Sequence, residues 1–221
     1  MLPPQTLRQV LPSVPRIPLR GPWYRAVNYD YLVGPPPGAP AGSPVQPLWA
    51  GGAARRGARF TPRAVTAGPG VAGSPAIDCL YLAEDQLTPL LEVTGAFRPL
   101  GSSIRFDFPP QVMMTVDGVL TEILDLTDIP TQAALGTTYQ ELTGLWAIQQ
   151  ADYLAGKAPM PPTQMLGEEA FNVGGIAGMR YPSSKNPQGV GIVVFTARLT
   201  SGQQTLRVSN QASGKLQQAL P

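Results

Sequence analysis

The residues best suited to chemistry stand in four short segments. Arg25 ends Trp23-Tyr24-Arg25, and Arg59 lies in the GARFTP run from Gly57 to Pro62. Tyr81 lies inside Cys79-Leu80-Tyr81-Leu82, with Glu92 following it, and Ser183 and Ser184 close RYPSS. Guanidinium forks bind phosphate oxygens two at a time. An aromatic face attracts a cation, and a fixed carboxylate stabilises positive charge that develops in a transition state. The chain has no His and one Cys. A Ser-His-Asp triad is therefore excluded, a Cys nucleophile lacks its usual base, and zinc has too few ligands. Cys79 reads as a small core residue in an apolar strand. Asp117, Glu122, Asp125 and Asp128 read as a solvated hairpin edge, and Glu168-Glu169 as acids that favour a helix dipole.

Positioning these groups requires a set of short elements. Trp23 to Leu32 and Leu48 to Ala50 have strand character, as does the run from Ile77 to Leu82. Asp85 is an expected N-cap for a helix reaching Val93, with Pro89 tolerated in the first turn. Strands are expected over Ile104–Phe108 and Val112–Val116. Asp117-Gly118 then predicts a two-residue hairpin turn, with Val119 to Leu126 returning. Thr127-Asp128 is expected to cap helices. Leu142, Leu145, Trp146, Ile148 and Leu154 suggest a helical stripe over Thr138 to Leu154, and Thr163 to Val173 a second helix. Met179–Tyr181, Gly191–Thr196 and Thr205–Val208 read as closing strands. Strands at both ends with helices grouped mid-chain make this an α+β pattern. No GxGxxG follows a strand and no GxxxxGK[ST] occurs, which removes the common nucleotide-binding loops.

Composition narrows the classes further. The chain has 221 residues, 43% of them hydrophobic and only 14% charged, with 24 Gly and 26 Pro. Loops and short, hard-bounded strands are expected. The stretches 34–47 and 62–77 read as Pro/Gly loops inside one domain, and residues 1–20 as a Pro-rich N-terminal arm. A net charge of +2 argues against direct nucleic-acid binding. The Arg55, Arg56, Arg59, Arg63 cluster suits either a small phosphorylated ligand or a solvated turn. One Cys permits no internal disulfide. No apolar run of spanning length and no apolar leader is evident, so no membrane contact and a cytoplasmic location are expected.

Taken together in order, WYR, GARFTP, LYL followed by Glu92, and RYPSS before GVGIVVF resemble the RES family, named for its Arg, Glu and Ser. The resemblance spans roughly residues 20 to 197. It implies a RES domain over residues 21–221 and a fold similar to ADP-ribosyltransferase toxins, with mixed or antiparallel sheets. It also implies NAD+ as a substrate rather than a cofactor. The expected activity is cleavage of the nicotinamide–ribose bond by a glycohydrolase or phosphorylase, as in bacterial toxins neutralised by an antitoxin protein. Transfer of ADP-ribose to a specific protein is the alternative. The resemblance makes Arg25 and Arg59 phosphate and ribose anchors, Tyr81 the nicotinamide wall and Glu92 the catalytic carboxylate. Ser183, favoured over Ser184, would hold the ribose or nicotinamide side. Arg25, Tyr81 and Ser183 thus join Glu92 in the expected catalytic set. The chain departs from the family pattern at Gly191, where many members carry Asn, at Thr61, and in a longer loop between Arg59 and Tyr81.

The chemistry is consistent with that implication. Breaking the nicotinamide–ribose bond builds an oxocarbenium-like cation. Nicotinamide leaves neutral, so neither a strong acid nor a metal is needed. Each residue also has a plain structural reading: Arg25 at a strand edge, Tyr81 in a core, Glu92 exposed on a helix, Ser183 in a turn. A non-catalytic interaction module, suggested by the Pro/Gly loops and the arm, and a homo-oligomer are both compatible with the sequence.

Overall fold

A 15-residue strand, β4 (Gln111–Asp125), organises the molecule. The computed structural model describes residues 1–33, 46–65, 75–94, 110–209 and 216–221. β4 passes straight through Asp117-Gly118, where a hairpin turn was expected. Gly118 is paired with Leu206 of β7 (Thr205–Ser209), and its carbonyl accepts from Gly21 N at 3.0 Å. A Cβ at Gly118 would collide with the Thr205 carbonyl and fall 3.2 Å from Leu206 Cα. The glycine therefore serves close strand approach, not a turn. Glu122, at φ 57°, marks a bulge where the register with β1 (Arg16–Arg20) slips between Ile17 and Leu19.

The described strands form an eight-stranded mixed sheet, which makes the fold α+β. β4 pairs antiparallel with β1, with β2 (Trp23–Asn28) and with β7, and parallel with β5 (Gly178–Pro182). β5 pairs with β6 (Val190–Phe195), β6 with β3 (Cys79–Ala83), and β3 returns to β2. The circuit closes because β2 also pairs with β4. β8 (Leu216–Leu220) flanks β7. Alternation along the strands divides the apolar residues into two cores. Cys79, Met179, Val193 and Phe195 join one, while Leu80, Leu82, Ile192 and Val194 join the other.

The expected N-terminal arm is packed into the domain. Residues Pro4–Val10 form α1, Leu7 and Leu11 are fully buried in the first core, and β1 joins the sheet. Their spacing at i and i+4 places both side chains on one helix face despite the prolines. Trp23 to Leu32 splits into β2 and a short helix, α2 (Asp30–Val33). Leu48 to Ala50 is not a strand but leads into α3 (Gly51–Arg56). The Asp85 cap is present: its carboxylate accepts from Leu87 N at 2.9 Å and Thr88 N at 2.8 Å, starting α4 (Leu87–Thr94) with Pro89 in the first turn. Asp128 caps α5 (Ile129–Ala134) through Thr131 N.

The single helix expected over Thr138–Leu154 is two: α6 (Tyr139–Leu142) and α7 (Trp146–Leu154). Thr143-Gly144 breaks it. Of the expected stripe Leu142 is buried, whereas Leu145 and Ile148 are 66% and 60% exposed. α8 (Pro162–Val173) forms as expected. The expected strand at 104–108 and most of both Pro/Gly loops lie outside the described residues. Among the described residues no helix is long and apolar enough to cross a membrane.

Candidate active site

The GARFTP turn builds one wall. Ala58 and Thr61 exchange backbone hydrogen bonds, N to O, at 2.8 and 3.2 Å, closing a tight turn. Phe60 is fully buried, its ring centroid 4.7 Å from that of Tyr181. The Tyr81 hydroxyl accepts from Phe60 N at 3.1 Å and lies 2.9 Å from Thr61 Oγ1. Gln164 of α8 donates to Ala58 O at 2.9 Å, and Gln150 of α7 to Arg56 O at 3.0 Å. So held, the turn directs Arg59, only 5% exposed, along the cavity. Its Nη1 donates to Leu142 O at 2.8 Å and Gly144 O at 3.1 Å, and its Nη2 to Ser184 Oγ. These partners are neutral; among the described residues Arg59 forms no ion pair. A nearly buried cation without a carboxylate leaves the site electropositive.

α4 and the loop after β5 build the opposite wall. Ser183, 1% exposed, donates from Oγ to Glu92 Oε1 at 2.6 Å. The same oxygen accepts from Lys185 N and Asn186 N, both at 3.1 Å. With its one proton given to Glu92 and two amides on its oxygen, this hydroxyl is saturated. Ser183 does not line the cavity. Asn186 Nδ2 donates to Thr88 Oγ1 at 2.9 Å, and Thr88 Oγ1 to Asp85 Oδ2 at 2.6 Å. This chain of side chains docks α4 on the loop and turns Glu92 inward.

Between the walls lies a cavity of about 570 Å³, lined among others by Arg25, Arg59, Tyr81 and Glu92. Four of the five expected residues thus converge on it, and Ser183 reaches it through Glu92. Arg25, on β2, donates from Nη2 to Trp49 O at 2.8 Å. Its Nη1 is buried and makes no hydrogen bond to the described residues. Burial lowers Arg25 to about 10, so it stays charged at neutral pH. Burial also holds the Tyr81 phenol well above its ordinary value and pushes the Cys79 thiol up to about 12. Tyr81 is thus a neutral phenol whose hydroxyl anchors the GARFTP turn while its ring meets the cavity, and Cys79 is no thiolate.

Three aromatic lining residues escape the sequence reading: Trp49, Trp146 and Tyr181. Trp49 stood in an expected strand and Trp146 in an expected core stripe. Tyr181 stood in an expected closing strand, within the RYPSS run. Among the described residues no group of three or more His, Cys, Asp or Glu is placed to hold a metal. The arrangement offers two guanidinium groups, aromatic surface and one oriented carboxylate around a space of ligand size.

The family model of the RES domain matches residues 22–213. Comparison with curated proteins finds no match. The chain belongs to the RES domain family.

Proposed function

We propose, taking membership in the RES domain family as the premise, that this chain is an enzyme cleaving the nicotinamide–ribose bond of NAD+. The family is associated with NAD-acting toxins. The observation that carries the reading is the convergence of Arg25, Arg59, Tyr81 and Glu92 on one cavity of about 570 Å³. That volume suits a small-molecule site, typically about 300–1,000 Å³.

In this reading the pyrophosphate lies against Arg25 and Arg59. The open Nη1 of Arg25 supplies a donor that burial has stripped of water. Tyr81 packs its ring on the cationic nicotinamide. Glu92 faces the ribose, held there by Ser183, and its carboxylate stabilises the cation as the glycosidic electron pair leaves with neutral nicotinamide. Ser183 acts as a positioning residue, not as a ligand to the sugar. Water gives ADP-ribose, and phosphate gives its 1″-phosphate. A neutralising partner protein belongs to the same reading.

The test is to incubate the purified chain with NAD+, with and without phosphate, and follow free nicotinamide. Glu92→Ala should remain folded and lose about 10²–10³ in turnover, the scale of removing a transition-state electrostatic partner. Full activity in a folded Glu92→Ala protein refutes the assignment. A labelled protein band from labelled NAD+ in lysate would instead support ADP-ribosyl transfer.

A further inference from the structure

Tyr181 has no place in the chemistry above, yet it is built into the same cavity. Its side chain is 4% exposed and still contributes to the cavity lining. The ring is clamped by Phe60 at 4.7 Å and by the edge of Tyr81 at 6.5 Å. Opposite it β6 carries Gly191, where a Cβ would fall 2.6 Å from the phenol oxygen. The sheet has thus left out a side chain at the one position that would expel this phenol. The hydroxyl makes no hydrogen bond to any described residue, whereas Tyr81 is engaged with Phe60 and Thr61, Ser183 with Glu92, and Ser184 with Arg59. A phenol at the cavity wall with no hydrogen bond to a described residue can take its partner from the ligand.

We infer that Tyr181 is a substrate-positioning residue that donates a hydrogen bond to the 2′-hydroxyl oxygen of the nicotinamide-side ribose. The inference rests on the NAD+ reading above. Ionised Glu92 can only accept hydrogen bonds, so a ribose hydroxyl facing it must donate, and the oxygen then needs a donor of its own. Three of the four Nη protons of Arg59 go to Leu142, Gly144 and Ser184. Tyr181, with no hydrogen bond to a described residue, has its proton free at that wall. Burial and the charge of Glu92 both push its phenol up, against the opposing charge of Arg59, so the proton stays on oxygen. The 2′-hydroxyl is chosen over the 3′ because it neighbours the carbon on which Glu92 must act.

Tyr181→Phe removes this donor and keeps the ring. The wild-type chain is read first for NAD+ binding and turnover. Tyr181→Phe should then raise KM for NAD+ about three- to tenfold with kcat little changed, the mark of one hydrogen bond made equally in ground and transition states. NAD+ lacking the 2′-hydroxyl on the nicotinamide-side ribose, used as a competitive ligand, should bind wild type and Tyr181→Phe equally. The melting temperature should not fall, because the lost hydroxyl has no hydrogen-bond partner among the described residues. Gly191→Ala should raise KM as well by displacing the ring. An unchanged KM in Tyr181→Phe, or the same loss with the deoxy ligand, overturns the inference while leaving the NAD+ reading standing. A wild-type chain that neither binds nor consumes NAD+ overturns both.

Discussion

The two walls of the cavity are made in different ways. The wall carrying Arg59 and Tyr81 is part of the sheet and its core: β3 is paired on both sides, Phe60 is fully buried, and Arg59 is fixed partly by main-chain carbonyls. The wall carrying Glu92 is a short helix whose Leu87, Leu90 and Val93 face solvent. It is docked by hydrogen bonds among Asp85, Thr88, Asn186 and Ser183. Cation placement is therefore tied to global stability, whereas carboxylate placement is tied to a local polar network. Damage to the first wall should couple activity to folding, and damage to the second should separate them.

Arg59→Ala gives the largest expected effect. It strips Leu142 and Gly144 carbonyls of a charged donor and opens space beside Phe60. A loss of at least ~3 kcal/mol is expected, with the melting temperature falling by roughly 10 °C and NAD+ turnover lost with it. Thermal denaturation and nicotinamide release measured on one preparation check this. A stable, inactive Arg59→Ala would break the contrast between the walls.

Ser183→Ala comes next. Glu92 loses its hydroxyl donor, and a shift of about 1 Å in a catalytic group costs on the order of 10²-fold in rate. Stability should change by only ~1 kcal/mol, which urea titration against turnover will show. Asn186→Ala removes the link to Thr88 one step further from the carboxylate. A few-fold drop in kcat with an unchanged melting temperature is expected. A variant of α4 that unfolds the domain would show that the second wall is as structural as the first.

The smallest effect belongs to Cys79. Its thiol, ordinarily near 9.0, is held neutral by burial up to about 12. The folded chain keeps this proton where the unfolded chain loses it. The associated stability is thus complete below pH 9.0 and declines as pH rises toward about 12. Cys79→Ala should flatten that decline in urea titrations at alkaline pH, and thiol reagents at neutral pH should leave turnover unchanged.

Much of this contrast was legible in the residues. The Asp85 cap, β3, β5, β6 and the convergence of Arg25, Arg59, Tyr81 and Glu92 follow from local signals and motif order. What escaped is what distant chain decides. Asp117-Gly118 has the composition of a turn, but β7 approaches there and needs a residue without a side chain. Leu145 and Ile148 keep helical spacing, yet Thr143-Gly144 rotates them away from the core. The N-terminal prolines suggested an arm, while Leu7 and Leu11 decide its packing. Ser183 was expected to meet the ligand; only the structure reveals that its hydroxyl is already given to Glu92. Tyr181 was placed at the end of a closing strand, and its seat against Gly191 depends on the pairing of β5 with β6.

The closed circuit of strands has a consequence for biosynthesis. β3 finds its far-side partner only in β6, more than a hundred residues later, and Tyr181 lies between them in sequence. A nascent chain leaving the ribosome therefore carries Arg25, Arg59, Tyr81 and Glu92 long before anything encloses them. Such non-local pairing folds slowly, on the order of milliseconds to seconds. A translation product that stops short of Val190 lacks the strand that joins β3 to β5, and should not form the cavity.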